Sequence, residues 1–260
     1  MKVVLFCGGF GTRLREHSDV VPKPLVDIGN RPIILHLMKY YAHYGHSDFV
    51  LCLGYKGEMI KEFFLNYDSY KYCDFTMSEG GKKRIPAESD IAKWTISFVD
   101  TGLHANIGER LLAVKEHLSG EDVFLANYSD QLTNFPLPEL LEFHRSKQMI
   151  ASFLSVRPAH SFHHVKASPE GVVTDLSLVA KSDFWINGGF MVLNHEIFEY
   201  INPGEELVEE PFRRLFERQK LGTKQWTGFW SAMDTMKDKI SFDRMHGRGE
   251  RVWEVWRERR

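Results

Sequence analysis

The apolar run Lys2–Cys7 (KVVLFC) ends without a spacer in Gly8-Gly9-Phe10-Gly11-Thr12-Arg13-Leu14. A continuous apolar run of this kind reads as a strand buried on both faces of a parallel sheet. Glycines at its carboxyl end let backbone N–H groups converge on an anion without Cβ obstruction. Thr12 adds a hydroxyl donor. Arg13 and Lys23, the latter inside Pro22-Lys23-Pro24, add cationic donors suited to triphosphate oxygens. Doubly wound folds bind ligands at that end of the sheet. Two familiar glycine fingerprints fail here. Counted from Gly9, the last glycine of a dinucleotide motif falls on Leu14, and the Gly-Lys-Ser/Thr ending of a Walker loop is absent. The bland alternative is a tight turn flanked by basic residues by chance, although this combination seldom arises in one turn.

Downstream, strand and helix patterns alternate. Apolar spacing predicts a helix over Pro32–Tyr44, with Pro32 at its start and Gly45 at its stop. A strand follows at Phe49–Leu53 and a helix at Glu58–Asn66. Residues 67–92 are polar and carry Lys82-Lys83-Arg84, so they read as an irregular flap or insertion. Trp94–Val99 returns as a strand, then come a helix over Ile107–Leu118, a strand at Asp122–Ala126, a helix over Pro138–Lys147 and a strand at Ile150–Val156. His164–Ser168 and Val172–Leu178 predict two short antiparallel strands around Pro169-Glu170-Gly171. Phe190–Leu193 and Gln225–Trp230 read as extended, and Glu209–Gln219 and Asp234–His246 as helices. The expected fold is α/β: a doubly wound, mainly parallel, Rossmann-like sheet with a small antiparallel β extension, built as one domain over 1–260. A basic tail, 248–260, keeps Trp253 and Trp256, which suggests that it docks on the protein's own body or on a neighbouring subunit. A homo-oligomer is expected.

Several function classes fall away. The formal net charge of -2 lacks the basic excess of a dedicated nucleic-acid binder. No apolar run approaches the ~20 residues of a membrane span, and no signal-peptide pattern precedes the first strand. Cys7, Cys52 and Cys73 have no paired spacing, which fits reduced thiols and a cytoplasmic location. No Ser/His/Asp set stands out. His36, His43 and His46 could share a helix but lack a carboxylate partner, so a surface position is expected for them.

GGFGTRL followed by PKPLVDIGNRPI resembles the signature of the sugar-1-phosphate nucleotidyltransferases. The resemblance continues at Gly54-Tyr55-Lys56-Gly57, Val99-Asp100-Thr101-Gly102, Trp185-Ile186-Asn187-Gly188-Gly189-Phe190 and Phe229-Trp230 through Met233-Asp234-Thr235. Within the family it is closest to the glucose-1-phosphate cytidylyltransferases. It implies a magnesium-dependent enzyme that joins a nucleoside triphosphate, CTP first, to a phosphorylated acceptor and releases pyrophosphate. Arg13, Lys23 and Asp130 would be catalytic. Gly8, Gly9, Gly11, Thr12, Arg13, Lys23, Thr101, Arg110 and Ser129 would bind the nucleotide. Asn187, Gly188 and Lys181 would bind the acceptor, within an acceptor-binding part at 159–246. Asp130 and Asp234 would hold Mg2+. Read without the resemblance, Asp130 could be a turn residue, Asp234 an N-cap of the last helix, and Asn187-Gly188-Gly189 a plain turn.

The chemistry asks for little more. A phosphate monoester is largely ionised near neutral pH, its second pKa being ~6, so no protein base is required. Catalysis then rests on positioning and on stabilising developing charge. Two departures from the family pattern matter. Ser129-Asp130 replaces Gly-Asp, and the Glu-Lys-Pro segment before Asn187 is missing. Leu178 falls at the ungapped position of its lysine, leaving Lys181 or Lys166 as substitutes. UTP or dTTP, a non-glucose or non-sugar phosphate acceptor, and a catalytically weak nucleotide-binding regulator therefore remain as alternatives.

Overall fold

The computed structural model describes residues 1–11, 21–85, 89–158, 163–179 and 183–257. The order runs β1 (Val3–Phe6), hairpin β2–β3 (Asp27–Ile28, Arg31–Pro32), α1 (Ile33–His43), β4 (Asp48–Leu53), α2 (Gly57–Leu65), hairpin β5–β6 (Thr76–Ser78, Lys83–Ile85), β7 (Thr95–Asp100) and α3 (Ile107–Ala113). It continues with β8 (Val123–Asn127), β9 (Gln131–Thr133), α4 (Leu137–Ser146), β10 (Ala151–Val156) and hairpin β11–β12 (His163–Ala167, Val173–Leu178). Then come β13 (Ile186–Asn187), β14 (Met191–Asn194), α5 (Glu210–Glu217), β15 (Leu221–Trp226), β16 (Trp230–Ala232) and α6 (Met236–Gly247).

The apolar strands pair in parallel, β8 and β4 on either side of β1 and β7 beyond β4. Strand order therefore reverses between β1 and β8. This is the topological switch point at which open α/β sheets form their ligand crevice. β14 runs antiparallel to β8 and to β10. β15 takes the whole length of β10 in parallel, so β13 and β14 must share its other edge as one strand interrupted at Gly188-Gly189-Phe190. The sheet is thus mainly parallel, as expected, and β11–β12 is the expected antiparallel extension.

Alternate residues of β1 feed opposite core layers. Val3 and Leu5 pack with Ile34, Leu37 and Tyr41 of α1, whereas Val4 and Phe6 pack with Leu111 of α3 and Leu215 of α5. Each fully buried side chain of this kind contributes roughly 1.5–3 kcal/mol. The capping boxes Asn106/Glu109 and Thr235/Asp238 fix the starts of α3 and α6.

Four expectations change. The flap is not irregular throughout its described residues, because β5–β6 closes as an antiparallel hairpin. The helix expected over Ile107–Leu118 turns 3-10 at Lys115–Leu118. The extended segment at Gln225–Trp230 is two strands, β15 and β16. His36 is not a surface residue but fully buried. Its Nδ1 accepts from Trp253 Nε1 at 3.3 Å, and Ile28 O lies 3.4 Å from its Nε2. Burial pushes its pKa down to about 3, so the ring is neutral. The tail docks on the chain's own body: Trp253 is buried against Phe229 and Phe242. Among the described residues no helix is long and apolar enough to cross a membrane.

Candidate active site

A cavity of about 570 Å³ opens at the switch point, lined by Gly8, Gly9, Phe10 and Gly11 after β1 and by Tyr128, Ser129, Asp130 and Gln131 after β8. Lys23 and Asp234 close its floor. Thr12 and Arg13 lie outside the described residues.

Two very short strands assemble the carboxylates. β16 pairs antiparallel with β9, Ala232 opposite Gln131, and Met233 N donates to the Asp130 carbonyl at 2.9 Å. That register delivers Asp234 beside Asp130 across 104 residues of sequence. Asp234 is not the cap of α6. Thr235 takes that role, its side chain accepting from Asp238 N.

Lys23 Nζ lies between the two acids, donating to Asp130 Oδ2 at 2.5 Å and to Asp234 Oδ1 at 2.7 Å. Burial alone pulls the buried pair towards neutrality, raising Asp130 and opposing the charge on Lys23. The two carboxylates win on the lysine, whose pKa rises. Two buried acceptors at the cavity, Asp130 Oδ1 and Gln131 Oε1, have no hydrogen-bond partner among the described residues. Unmatched buried acceptors are costly unless a cation or a donor meets them. Two hard carboxylates, one with a spare oxygen, suit a small divalent cation that draws its remaining ligands from phosphate and water.

Arg110 is buried in the cavity wall and ties three strand ends together. Its Nη1 donates to the carbonyls of Leu53 (3.1 Å) and Gly102 (3.0 Å) and to Thr101 Oγ1 (2.8 Å), and its Nη2 to the Gly8 carbonyl (3.1 Å). This explains Gly8: a Cβ there would lie 2.1 Å from Arg110 Nη1. Thr101 serves Arg110 and Leu53 and does not line the cavity. Ser129 adopts φ +66° and is nearly sealed off, its hydroxyl donating to the Phe6 carbonyl at 2.8 Å. The hydroxyl thus points to backbone, although the residue lines the cavity.

The expected acceptor residues are less concentrated. Asn187 and Gly188 are not in the cavity lining. Asn187 Oδ1 accepts from Gly189 N at 2.9 Å, and its Nδ2 donates to the Tyr128 hydroxyl at 3.3 Å. Asn187 therefore reaches the cavity through Tyr128. Lys166 lies on the exposed hairpin β11–β12, and Lys181 lies outside the described residues. Sequence reasoning missed Tyr128, His104, Asn106 and Glu206 in the lining. Glu206, whose carboxylate accepts from Ile107 N at 3.2 Å, sits 76 residues beyond Asp130 in a segment without a motif.

The nucleotidyl transferase family model matches residues 2–234. A protein of Bacillus subtilis (strain 168) named probable glucose-1-phosphate cytidylyltransferase is 37% identical over 259 residues, covering 98% of this chain and 100% of that protein. The glucose-1-phosphate cytidylyltransferase of Salmonella typhi is 34% identical over 258 residues, with coverage of 98% and 100%. Among solved structures, a UDP-glucose pyrophosphorylase complexed with UDP-glucose superposes with a TM-score of 0.70 at 15% identity, covering 95% of this chain and 98% of that one. At that identity the likeness concerns the fold alone.

Proposed function

This chain belongs to the nucleotidyl transferase family, and we propose that it transfers the cytidylyl group of CTP to a sugar 1-phosphate, glucose 1-phosphate first. The observation that carries this reading is the Asp130–Lys23–Asp234 cluster beneath the glycine loop at the switch point. A phosphate oxygen of the acceptor attacks the α-phosphorus. The bond from the α-phosphorus to the bridging oxygen of the β-phosphate breaks, and pyrophosphate leaves. The attacking phosphate is already ionised, and among the described lining residues no base is assigned to activate it.

Asp130 and Asp234 would hold the magnesium ion. When bound, magnesium neutralises the approaching anions and polarises the α-phosphate. Lys23 offers its ammonium to phosphate oxygens once the carboxylates have another cation to share. The open space beside Gly9, where a Cβ would meet nothing within 4 Å, lets a phosphate approach the loop backbone, and Gly11 takes φ +62°, a conformation that favours glycine. Arg110 holds the loop ends in place and lines the cavity. Tyr128, anchored by Asn187, lines the cavity, and the acceptor would lie against it.

A matrix of CTP, UTP, dTTP, GTP and ATP against glucose 1-phosphate and other sugar 1-phosphates, with pyrophosphate release as the readout, tests this reading. CTP with glucose 1-phosphate is expected to give the highest kcat/KM. Faster turnover of dTTP or UTP would overturn the base assignment, and no product from any pair would overturn the activity.

A further inference from the structure

A second cavity, of about 490 Å³, shares no lining residue with the first. It opens between the β2–β3 turn, the residues around Lys71–Asp74, the end of α6 and the tail. Arg31, Lys71, Arg251 and Arg257 face it, against only Asp74 and Glu254. Glu254 is ion-paired with Arg257 Nε, although its Oε2 has no aligned hydrogen bond among the described residues. Three basic side chains, Arg31, Lys71 and Arg251, therefore face one remaining carboxylate.

The arginines are held in place. Arg31 Nη2 donates to the Tyr72 carbonyl, and Arg251 Nε donates to the His246 carbonyl at 3.3 Å. Arg31 Nε is a buried donor with no hydrogen-bond partner among the described residues. A buried, unmatched donor on a cation is costly until an acceptor meets it. Fixed guanidinium forks suit oxyanions that accept two hydrogen bonds at once. Tyr72 supplies a flat wall, stacked on Tyr67 with centroids 5.3 Å apart. The His246 ring in the same lining has a lowered pKa, through burial first and then through Arg251 and Arg257, as expected in a positive field.

We propose that this cavity is a second binding site, for a diphosphate anion, formed where the tail docks and separate from the Asp130–Asp234 centre. Free pyrophosphate and the diphosphate of a nucleotide share this chemistry. The proposal stands independently of which triphosphate the first cavity takes.

Cys73 provides a local reporter. It lines this cavity and is partly accessible, whereas Cys7 and Cys52 are buried. The full chain is alkylated with iodoacetamide in metal-free buffer, and the Cys73 peptide is quantified by mass spectrometry. Pyrophosphate is titrated at constant ionic strength, with sodium chloride as the control, and CDP forms a parallel arm. Pyrophosphate is expected to slow Cys73 alkylation saturably. Lys71→Ala and Arg251→Ala are each expected to raise the half-protecting concentration about tenfold, the value of one charge-assisted hydrogen bond. Protection by CDP at lower concentration identifies a nucleotide as the better ligand, equal protection identifies the free diphosphate, and both support the site. Alkylation unchanged by pyrophosphate, equal protection by chloride, or unchanged protection in both folded variants would overturn it.

Discussion

Ser129 sits at φ +66°, a conformation in which a side chain is strained, and its hydroxyl is tied to the Phe6 carbonyl at 2.8 Å. The family resembled usually carries glycine here, and the backbone angle gives the physical reason. Serine accepts strain of about 1 kcal/mol and recovers a buried hydrogen bond of about 1 kcal/mol. Ser129→Gly removes both and is expected to leave thermal stability close to that of the parent chain. Ser129→Ala keeps the strain and loses the bond, so it should melt roughly 2–4 °C lower. Thermal melts of the three proteins check that order, and an alanine variant as stable as the parent would remove the balance. Residues of this kind were only partly legible in the sequence. Lys23, Asp130 and Asp234 could be picked out because each stands in a recognisable motif. The reason for Gly8 could not, because it depends on a guanidinium 102 residues away.

At the scale of elements, the long periodic segments were legible and the short ones were not. β1, β4 and β8 announce themselves as apolar runs, whereas β9 and β16 have three residues each and no periodicity to read. Those two strands bring Asp234 to Asp130, so the decisive pairing could only be inferred through the family pattern. His36 was misplaced for a related reason. A single histidine suggests solvent, but it lies in the run Ile33-Ile34-Leu35-His36-Leu37-Met38, all of it buried. α1 is covered on one side by the sheet and on the other by the tail.

The neutral His36 makes tail docking sensitive to acid. Its folded pKa, about 3, lies below the unfolded value of ~6.5. The unfolded chain therefore binds the proton first. The stabilising contribution is complete above pH 6.5 and is lost as pH falls towards 3. The loss runs at about 1.4 kcal/mol per pH unit, or about 2 kcal/mol between pH 6.5 and 5. Glu254, with its Oε1 3.6 Å from His36 Nδ1, faces the ring, while Arg31, Lys39 and His246 oppose its protonation. Denaturant unfolding of the parent chain and of His36→Gln at the two pH values should show the variant losing about 2 kcal/mol less. Equal losses would place the acid sensitivity elsewhere.

For the whole molecule, the architecture explains where the candidate site lies. The reversal between β1 and β8 opens a crevice, the glycine loop lines one wall, and β9 with β16 set two carboxylates into its floor. The tail packs Trp253 on Phe229 and Phe242, buttressing the segment that carries Asp234. We propose a role for these two carboxylates as the centre of cytidylyl transfer. Its most direct test is the turnover of CTP and glucose 1-phosphate by Asp130→Asn in saturating magnesium, with circular dichroism confirming the fold. Several kcal/mol of charge stabilisation are at stake, so kcat is expected to fall on the order of 10³-fold. Turnover within about threefold of the parent chain, under 1 kcal/mol of barrier, would remove Asp130 from the chemistry.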